Sequence, residues 1–316
     1  MRIADRIFEY FVNDGIDTVF GVTGGGVMYL IDALAINPKI SFVSNHHEEY
    51  SGVSADGYSR ASCKYGVAIG TTGPGAAHLF SSIAAAWQDS SPCFFLVGQV
   101  PLADSTFVNK LNVRQNGTFE FNTKRCFEPV CKEHHVLTKN DDIDSVMQSL
   151  LQIMHEGRPG PVILEIPLDL QGKSIKCSFP IKKIIKHENV SIRIDKEEII
   201  GCLSPYFIKS KRPLFLLGRG VEVSSCGNEI LQFLRKYQVP YITTQFGKSN
   251  GDINDHLFLG SPGIKSNRSA NIALCEADLI VVLGCSLHQQ VIGWDSSFFK
   301  KLSSTKIWFE IDNDLI

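Results

Sequence analysis

The sequence predicts an α/β protein with two doubly wound domains, each built on a parallel sheet. Short apolar runs alternate with stretches of helical spacing along both halves of the 316-residue chain. Glycine-rich turns follow several of these runs, as at Gly24-Gly25-Gly26 and Gly73-Pro74-Gly75. Strands that alternate with helices in this way form parallel sheets with helices on both faces.

The composition is that of a water-soluble globular protein, with 44% hydrophobic and 20% charged residues. A formal net charge of -2 gives no electrostatic reason to expect nucleic acid or a membrane as a partner. The nine cysteines form no C-x-x-C pair, and the two closest, Cys126 and Cys131, are placed on a loop. We therefore expect reduced thiols and a cytoplasmic location.

The first half contains five strand predictions, interleaved with helices, and forms a domain over residues 1–171. Helices are predicted at 3–13, from 27, at 48–61, ending near 87 and at 143–154, and strands at 18–22, 40–44, 67–71, 93–97 and 162–166. Residues 172–195 are rich in lysine, isoleucine and polar side chains without a clean period, which indicates a connecting segment.

The second domain is predicted over residues 196–316 with the same alternation. Its helices are expected at 196–207, 228–237 and 269–275, and its strands at 213–217, 240–244, 279–284 and 306–311. Both halves therefore have the same fold class, although no sequence repeat relates them.

A carboxylate pair, Glu48 and Glu49, stands where the second strand passes into a helix. Ligands of open α/β sheets bind at that edge, so Glu48 is a candidate catalytic residue. The alternative is a structural one, since a carboxylate at a helix N-terminus is stabilised by the helix dipole. Glu49 points about 100° further round the helix and is expected to have only this second role.

The segment from His47 to Ala61 resembles the His-Glu-Gln…Ala-Asp-Gly-Tyr-Ala-Arg-Ala signature of thiamine-diphosphate-dependent enzymes related to acetolactate synthase. Further segments resemble the same family in the same order: 70–76, 89–92, 98–101, 157–162, 166–169, 212–213, 218–221, 260–271, 276–280 and 311–312. The resemblance implies the pyrimidine-binding and central domains of such an enzyme. The family's third domain, which binds magnesium and the cofactor's diphosphate, is expected to be absent from this sequence.

The resemblance implies that Glu48 is the protonation partner of N1′ in the aminopyrimidine ring of thiamine diphosphate. A carboxyl group in an apolar cleft can share a proton with a ring nitrogen at neutral pH. Cofactor contacts are implied for five further residues: Gly24, Gly25, Pro74, Gly75 and His78. Two of the matched positions depart from the family, because Thr23 replaces a proline and His78 an asparagine.

Phe119 is a further departure, standing where the family has a glutamine that faces the reacting part of the cofactor. The loss of a hydrogen-bond donor puts ordinary acetolactate synthesis in doubt. The resemblance also makes flavin adenine dinucleotide a candidate ligand, with Arg158, Gly218 and Gly220 as candidate contacts. Since 218–223 lacks the third glycine of G-x-G-x-x-G, a plain turn between strand and helix is the preferred alternative.

The sequence thus predicts a component of a carboligase (transferase) or decarboxylase (lyase) that acts on a small 2-oxo acid. It is expected to form a homodimer or higher oligomer and to need a second chain whose diphosphate-binding domain holds Mg²⁺; no metal ligand is assigned within this sequence. The alternatives are a truncated, inactive or regulatory subunit that keeps the fold, and a nucleotide-binding oxidoreductase. The poor glycine pattern weighs against the oxidoreductase.

Overall fold

The computed structural model describes residues 1–120, 122–176, 180–181, 196–293 and 305–309. The chain divides into two compact units, Met1–Val190 and Ser191–Ile316. Each unit contains its own parallel sheet, which confirms the predicted fold class. In the described residues, no helix is long and apolar enough to cross a membrane.

The first unit has a six-stranded sheet in which every neighbouring pair is parallel, in the order β2-β1-β3-β4-β6-β5. Its strands are β1 (Thr18–Gly21), β2 (Ser41–Ser44), β3 (Gly66–Gly70), β4 (Cys93–Gln99), β5 (Glu133–Val136) and β6 (Val162–Pro167). Its helices are α1 (Ile3–Asn13), α2 (Met28–Ile36), α3 (Glu48–Ser62), α4 (Pro74–His78), α5 (Phe80–Gln88), α6 (Thr123–Phe127), α7 (Ile143–His155) and α8 (Leu168–Gln171).

The central strands are buried throughout and mostly apolar because helices cover both faces of the sheet. Every residue of β3, β4 and β6 is buried. Along β4, Phe94 and Leu96 join the core under α1, α2 and α7, whereas Phe95 and Val97 join the core under α3, α4 and α5. Successive side chains of a strand point to opposite faces, so one continuous apolar run supplies both cores.

Helix α1 shows how the spacing of apolar residues along a helix packs it against one face of the sheet. Ile3, Ile7 and Phe11 lie on its buried side, and Phe11 meets Phe94 edge to face at 5.2 Å between ring centroids. Burial of such a ring stabilises the fold by roughly 1.5–3 kcal/mol. Arg6, which is also buried, pairs with Asp144 of α7 at 2.7 Å and joins the two helices on this face.

The second unit has a four-stranded parallel sheet in the order β10-β9-β7-β8. Its strands are β7 (Pro213–Leu217), β8 (Tyr241–Thr243), β9 (Leu279–Leu283) and β10 (Thr305–Phe309), and its helices are α9 (Lys196–Lys209), α10 (Arg219–Val223), α11 (Gly227–Tyr237), α12 (Arg268–Glu276) and α13 (Gln289–Ile292). The last two residues of the strand predicted at 306–311 lie outside the described part of the chain.

The two cysteines Cys126 and Cys131 were predicted on a loop, which is wrong for Cys126 and confirmed for Cys131. Cys126 lies in α6, and Cys131 follows a 3₁₀ turn, Glu128–Val130. The Cys131 thiol is buried, and burial raises its pKa to about 12. Cys131 therefore serves as a small core residue.

The predicted connecting segment, 172–195, is described only at 172–176 and 180–181. Its first residues continue the first unit. The N–H of Ile3 donates to the carbonyl oxygen of Lys173 at 3.0 Å, and the N–H of Ile175 donates to that of Met1 at 2.9 Å. The remainder of the predicted segment lies outside the described residues.

Candidate functional site

The site residues of the first unit gather at the carboxyl edge of its sheet. Strands β1, β3 and β4 are neighbours, and a glycine-containing loop follows β1 and β3 directly. All strands of a parallel sheet end at the same edge, so these loops converge. The edge carries the three predicted features, namely Glu48, the glycine loop at 24–26 and the Gly73-Pro74-Gly75 turn.

Glu48 is the first residue of α3, and its side chain is only 12% exposed. The preceding His47 has an extended backbone and caps the helix, since its Nδ1 accepts the N–H of Glu49 at 3.2 Å. The cap is thus provided by His47, so the Glu48 carboxylate is not needed for capping and stays available for another partner. This observation favours the functional interpretation of Glu48.

The two carboxylate oxygens of Glu48 face different neighbours. Oε2 lies 3.2 Å from Nδ1 of His78, the last residue of α4. Oε1 lies beside Gly75, where a Cβ atom would be only 2.9 Å away. The His78 ring is half exposed and faces the His47 ring at 4.5 Å between centroids. The structure therefore brings together Glu48, Gly75 and His78, as the resemblance implied.

The other charged residues of the signature hold α3 in place. Arg60 pairs with Asp56 on its own helix at 2.8 Å and with Asp89, just after α5, at 2.6 Å. Tyr58 donates a hydrogen bond to Asp17 at 2.9 Å. These residues have a structural role, since they fix the helix that carries Glu48.

The glycine loop after β1 is closely packed at its two ends and open in the middle. A Cβ atom on Gly24 would lie 2.6 Å from the Thr71 side chain, and one on Gly26 would lie 2.0 Å from Oγ1 of Thr72. Gly25, by contrast, would meet nothing within 4 Å. Gly24 and Gly25 also line a cavity of about 460 Å³ against α2, and Glu48 is not among its lining residues.

Phe119 lies against the Gly73 turn. A Cβ atom on Gly73 would be 2.5 Å from both Cβ and the carbonyl oxygen of Phe119, and Gly73 has a φ of +69°. Phe119 itself has a φ of +62°, and 62% of the residue is exposed. The neighbouring Glu120 is buried and accepts the N–H of Thr106 at 2.6 Å, which holds this loop at the edge.

Arg158 lies elsewhere in the first unit. It comes before β6, and its guanidinium donates to Oγ of Ser90 at 2.6 Å and to the carbonyl oxygen of Gln88 at 3.3 Å. A loop that precedes a parallel strand lies at the amino edge of the sheet. Arg158 is therefore at the edge opposite Glu48.

Gly218 lies in the second unit between β7 and α10, and Gly220 is the second residue of α10. Their N–H groups donate to the carbonyl oxygens of Leu283 at 2.8 Å and Gly284 at 3.0 Å. A Cβ atom on Gly218 would be 2.0 Å from the Gly284 oxygen, and one on Gly220 would be 2.7 Å from its Cα. Close approach of two backbone segments thus explains why glycine stands at both positions, without a ligand.

Two residues near the glycine loop were missed by the sequence reasoning. Gln171 is fully buried and donates from Nε2 to the carbonyl oxygens of Gly26 at 2.7 Å and Ile166 at 2.9 Å. Thr72 has a buried Oγ1 with no hydrogen-bond partner, next to Gly26. For Thr72, the sequence offered one signal, the pair of threonines directly before Gly73. Gln171 gave none, because nothing in the local sequence distinguishes a buried glutamine at the end of a helix from an exposed one.

The residues at this edge fit an aminopyrimidine group. An unpartnered buried hydroxyl such as that of Thr72 costs roughly 1–3 kcal/mol, a cost that a polar ligand within reach would remove. The absence of a side chain on Gly75 lets the backbone of this turn approach the Glu48 carboxylate closely. A carboxyl group, an imidazole and a glycine backbone that lie together at one edge of the sheet offer polar contacts for a flat ring with several nitrogen atoms.

Comparison with known proteins gives two family matches. Residues 1–124 match the family described as thiamine pyrophosphate enzyme, N-terminal TPP binding domain. Residues 204–316 match the thiamine pyrophosphate enzyme central domain. The two matches fall in the first and second compact units, respectively.

Individual relatives cover nearly all of this chain. It is 32% identical over 302 residues to a probable acetolactate synthase large subunit of Methanococcus aeolicus, which is 94% of this chain and 49% of the relative. It is 32% identical over 318 residues to the acetolactate synthase large subunit of Parasynechococcus marenigrum (98% and 49%). It is 31% identical over 302 residues to a chloroplastic acetolactate synthase 1 of Zea mays (93% and 45%). The chain spans about half the length of these relatives.

Proposed function

Because the chain belongs to the thiamine pyrophosphate enzyme family, we propose that its first unit binds the aminopyrimidine ring of thiamine diphosphate, with Glu48 as the group that exchanges a proton with N1′. The observation that carries this proposal is the position of Glu48. Its carboxyl group is nearly buried at the carboxyl edge, is not needed for helix capping because His47 provides the cap, and lies against the backbone of Gly75.

The two carboxylate oxygens of Glu48 have different contacts, and we assign them different roles. Oε2 is held by His78 at 3.2 Å, so the carboxyl group is oriented, and Oε1 is left to face the ring beside Gly75. The close packing of Gly73 on Phe119 keeps the turn fixed while the ring is bound. When bound, thiamine diphosphate supplies the electron sink for the loss of carbon dioxide from a 2-oxo acid.

The proposed reaction is decarboxylation of a small 2-oxo acid or its carboligation to a second carbonyl compound. Phe119 supports a substrate preference that differs from the preference of a site with an amide side chain at this position. Its ring is exposed next to the Gly73 turn and offers no hydrogen-bond donor. A site that loses a donor discriminates against substrates that depend on it.

We propose that the diphosphate and its Mg²⁺ are bound by a domain outside these 316 residues, on a second chain or a further part of the polypeptide. A homodimer or higher oligomer is part of the same proposal. Flavin binding stays a prediction; the N–H groups of Gly218 and Gly220 are already hydrogen-bonded. The cytoplasmic location likewise stays a prediction from the sequence.

The test compares Glu48→Gln with Glu49→Gln, the same change on the next residue of the same helix. Each variant is combined with a diphosphate-binding partner and Mg²⁺, and the turnover of a small 2-oxo acid is measured. Positioned acid–base groups contribute about 10²–10⁴ in rate, so turnover of Glu48→Gln should fall by at least about 100-fold. Glu49→Gln should stay near wild type.

Calorimetric titration with thiamine diphosphate supplies the second measurement. Binding by the mixture supports the proposal. A mixture that binds no cofactor contradicts it and favours a regulatory subunit that keeps the fold. Near-normal turnover of Glu48→Gln in an assembly that does bind cofactor contradicts the role of Glu48 alone.

A further inference from the structure

We propose that His47, Glu48 and His78 form a binding site for a zinc-type divalent transition-metal ion, and that this ion excludes the cofactor ring from Glu48. One ligand atom from each of the three residues lies within 4.8 Å of the other two. His47 and Glu48 are partly buried at the start of α3, and His78 reaches them from the end of α4. The three side chains thus meet around one point at the carboxyl edge.

The donor set suits zinc and its neighbours. Two imidazoles and one carboxylate match the preference of zinc for nitrogen and carboxylate ligands, with a fourth position left for water. Tetrahedral zinc with bonds of about 2.0–2.2 Å holds its donor atoms about 3.4 Å apart. The Nδ1 atom of His78 already lies 3.2 Å from Oε2 of Glu48, and the 49% exposed side chain of His78 can rotate as the donors close around the ion. Magnesium prefers oxygen ligands and octahedral geometry, so it should not compete.

Two features of α3 oppose a cation, and both are small. The positive end of the helix dipole lies at Glu48, but the carboxylate charge outweighs the partial charge of the dipole. His47 also uses Nδ1 to accept the N–H of Glu49. Coordination through Nδ1 releases this N–H to water, and the helix keeps its other hydrogen bonds.

The ion and the aminopyrimidine ring require the same carboxylate. Glu48 has one oxygen towards His78 and the other towards Gly75, so a metal ion bound to it occupies the group that the ring needs. The competition rests on the proposed function, whereas the binding of zinc does not. Zinc would therefore lower the apparent affinity for the cofactor without destabilising the fold.

The first measurement is a calorimetric titration of the full chain with zinc chloride in metal-free buffer. The site variants are His47→Asn and His78→Asn; asparagine is a good N-cap, so the first keeps the start of α3 intact. The matched control is His288→Asn, since exposed His288 also caps a helix through Nδ1, which accepts the N–H of Gln290 at 3.2 Å.

We expect one zinc ion per wild-type chain and at least about tenfold weaker binding in each site variant, because even changes behind the ligands cost 10–100-fold. His288→Asn should bind like wild type, and magnesium chloride should give no binding to the chain alone. Wild-type binding that is absent, or that is unchanged in His78→Asn, overturns the site.

The second measurement titrates thiamine diphosphate into the assembly with the diphosphate-binding partner, with and without zinc. Zinc should weaken cofactor binding in both proteins, but the zinc concentration needed should be at least about tenfold lower for wild type than for His78→Asn. Chelation of zinc by the diphosphate would affect both proteins equally, and equal effects overturn the competition. If the assembly binds no cofactor without zinc, the proposed function fails while the zinc titration still decides the site.

Discussion

Gly75→Ala tests the space next to Glu48. An added Cβ atom would lie 2.6 Å from Cγ2 of Thr71 and 2.9 Å from Oε1 of Glu48. Ordinary van der Waals contacts begin near 3.4 Å, so the carboxylate must retreat by about half an ångström or the turn must shift by more. A misplacement of about 1 Å costs up to 100-fold in rate, and we expect turnover to fall by roughly 10- to 100-fold.

The matched control is Gly57→Ala on α3, the helix that begins with Glu48. A Cβ atom on Gly57 would meet nothing within 4 Å, and the residue is exposed in the middle of the helix. Replacing such a glycine by alanine should raise the free energy of unfolding by about 0.8–1 kcal/mol with turnover unchanged. Both variants are assayed in the assembly for turnover and alone by urea unfolding.

The refuting result is a Gly75→Ala enzyme with wild-type turnover and wild-type cofactor affinity. It would mean that the close contact between the Gly75 turn and Oε1 does not matter for the bound ring, and the assignment of that oxygen to proton exchange would fail. A loss of turnover accompanied by global unfolding would count against the local explanation. The urea transition separates these two results.

Three further outcomes are expected. Gly66→Ala should destabilise the first unit by roughly 1–3 kcal/mol in urea unfolding, because its Cβ atom would lie 1.9 Å from the Ala55 carbonyl oxygen of α3; an unchanged midpoint would refute this. Phe119→Gln should change the ratio of kcat/KM between two 2-oxo acids, and an unchanged ratio would show that Phe119 lies away from the substrate. Hydrogen bonds from Ser210 and nearby backbone N–H groups lower the pKa of Asp278 from 3.8 to about 2. The ionised Asp278 therefore stabilises the fold fully above about pH 4, and this stabilisation is lost as the pH falls towards 2. The difference in unfolding free energy between wild type and Asp278→Asn should shrink over that range.

The fold class followed from the sequence because apolar runs and glycine turns mark strands and their connections directly. Strand β5 did not follow. Its residues, Glu133–Val136, are mostly polar and show no apolar alternation. Its His134 is nevertheless buried, because Nε2 lies 2.9 Å from Oε2 of the buried Glu165. A polar strand with a partner in the core cannot be recognised from hydrophobicity alone.

Only part of the candidate site could be predicted from the sequence, for a similar reason. The position of Glu48 at the start of a helix is local and was predicted, and so was its proximity to the Gly73 turn through the family signature. Arg158 was grouped with Gly218 and Gly220, although its place before a strand already indicated the amino edge. The hydrogen bonds of the two glycines are made to Leu283 and Gly284, which lie more than sixty residues away in the sequence.

The loop that carries Phe119 is attached to the sheet through the same buried carboxylate, at both ends. Gln99, at the end of β4, donates from Nε2 to Oε1 of Glu165 at 2.7 Å, and Thr123, at the start of α6, donates from its hydroxyl to Oε2. Together with His134, three side chains thus make hydrogen bonds to the buried Glu165 carboxyl group. These hydrogen bonds offset the free-energy cost of burying it. Both anchors lie outside the loop and do not depend on the side chain at position 119. Under the proposed function, Phe119 can therefore be replaced while these anchors and Glu48, which lies on a separate element, keep their places.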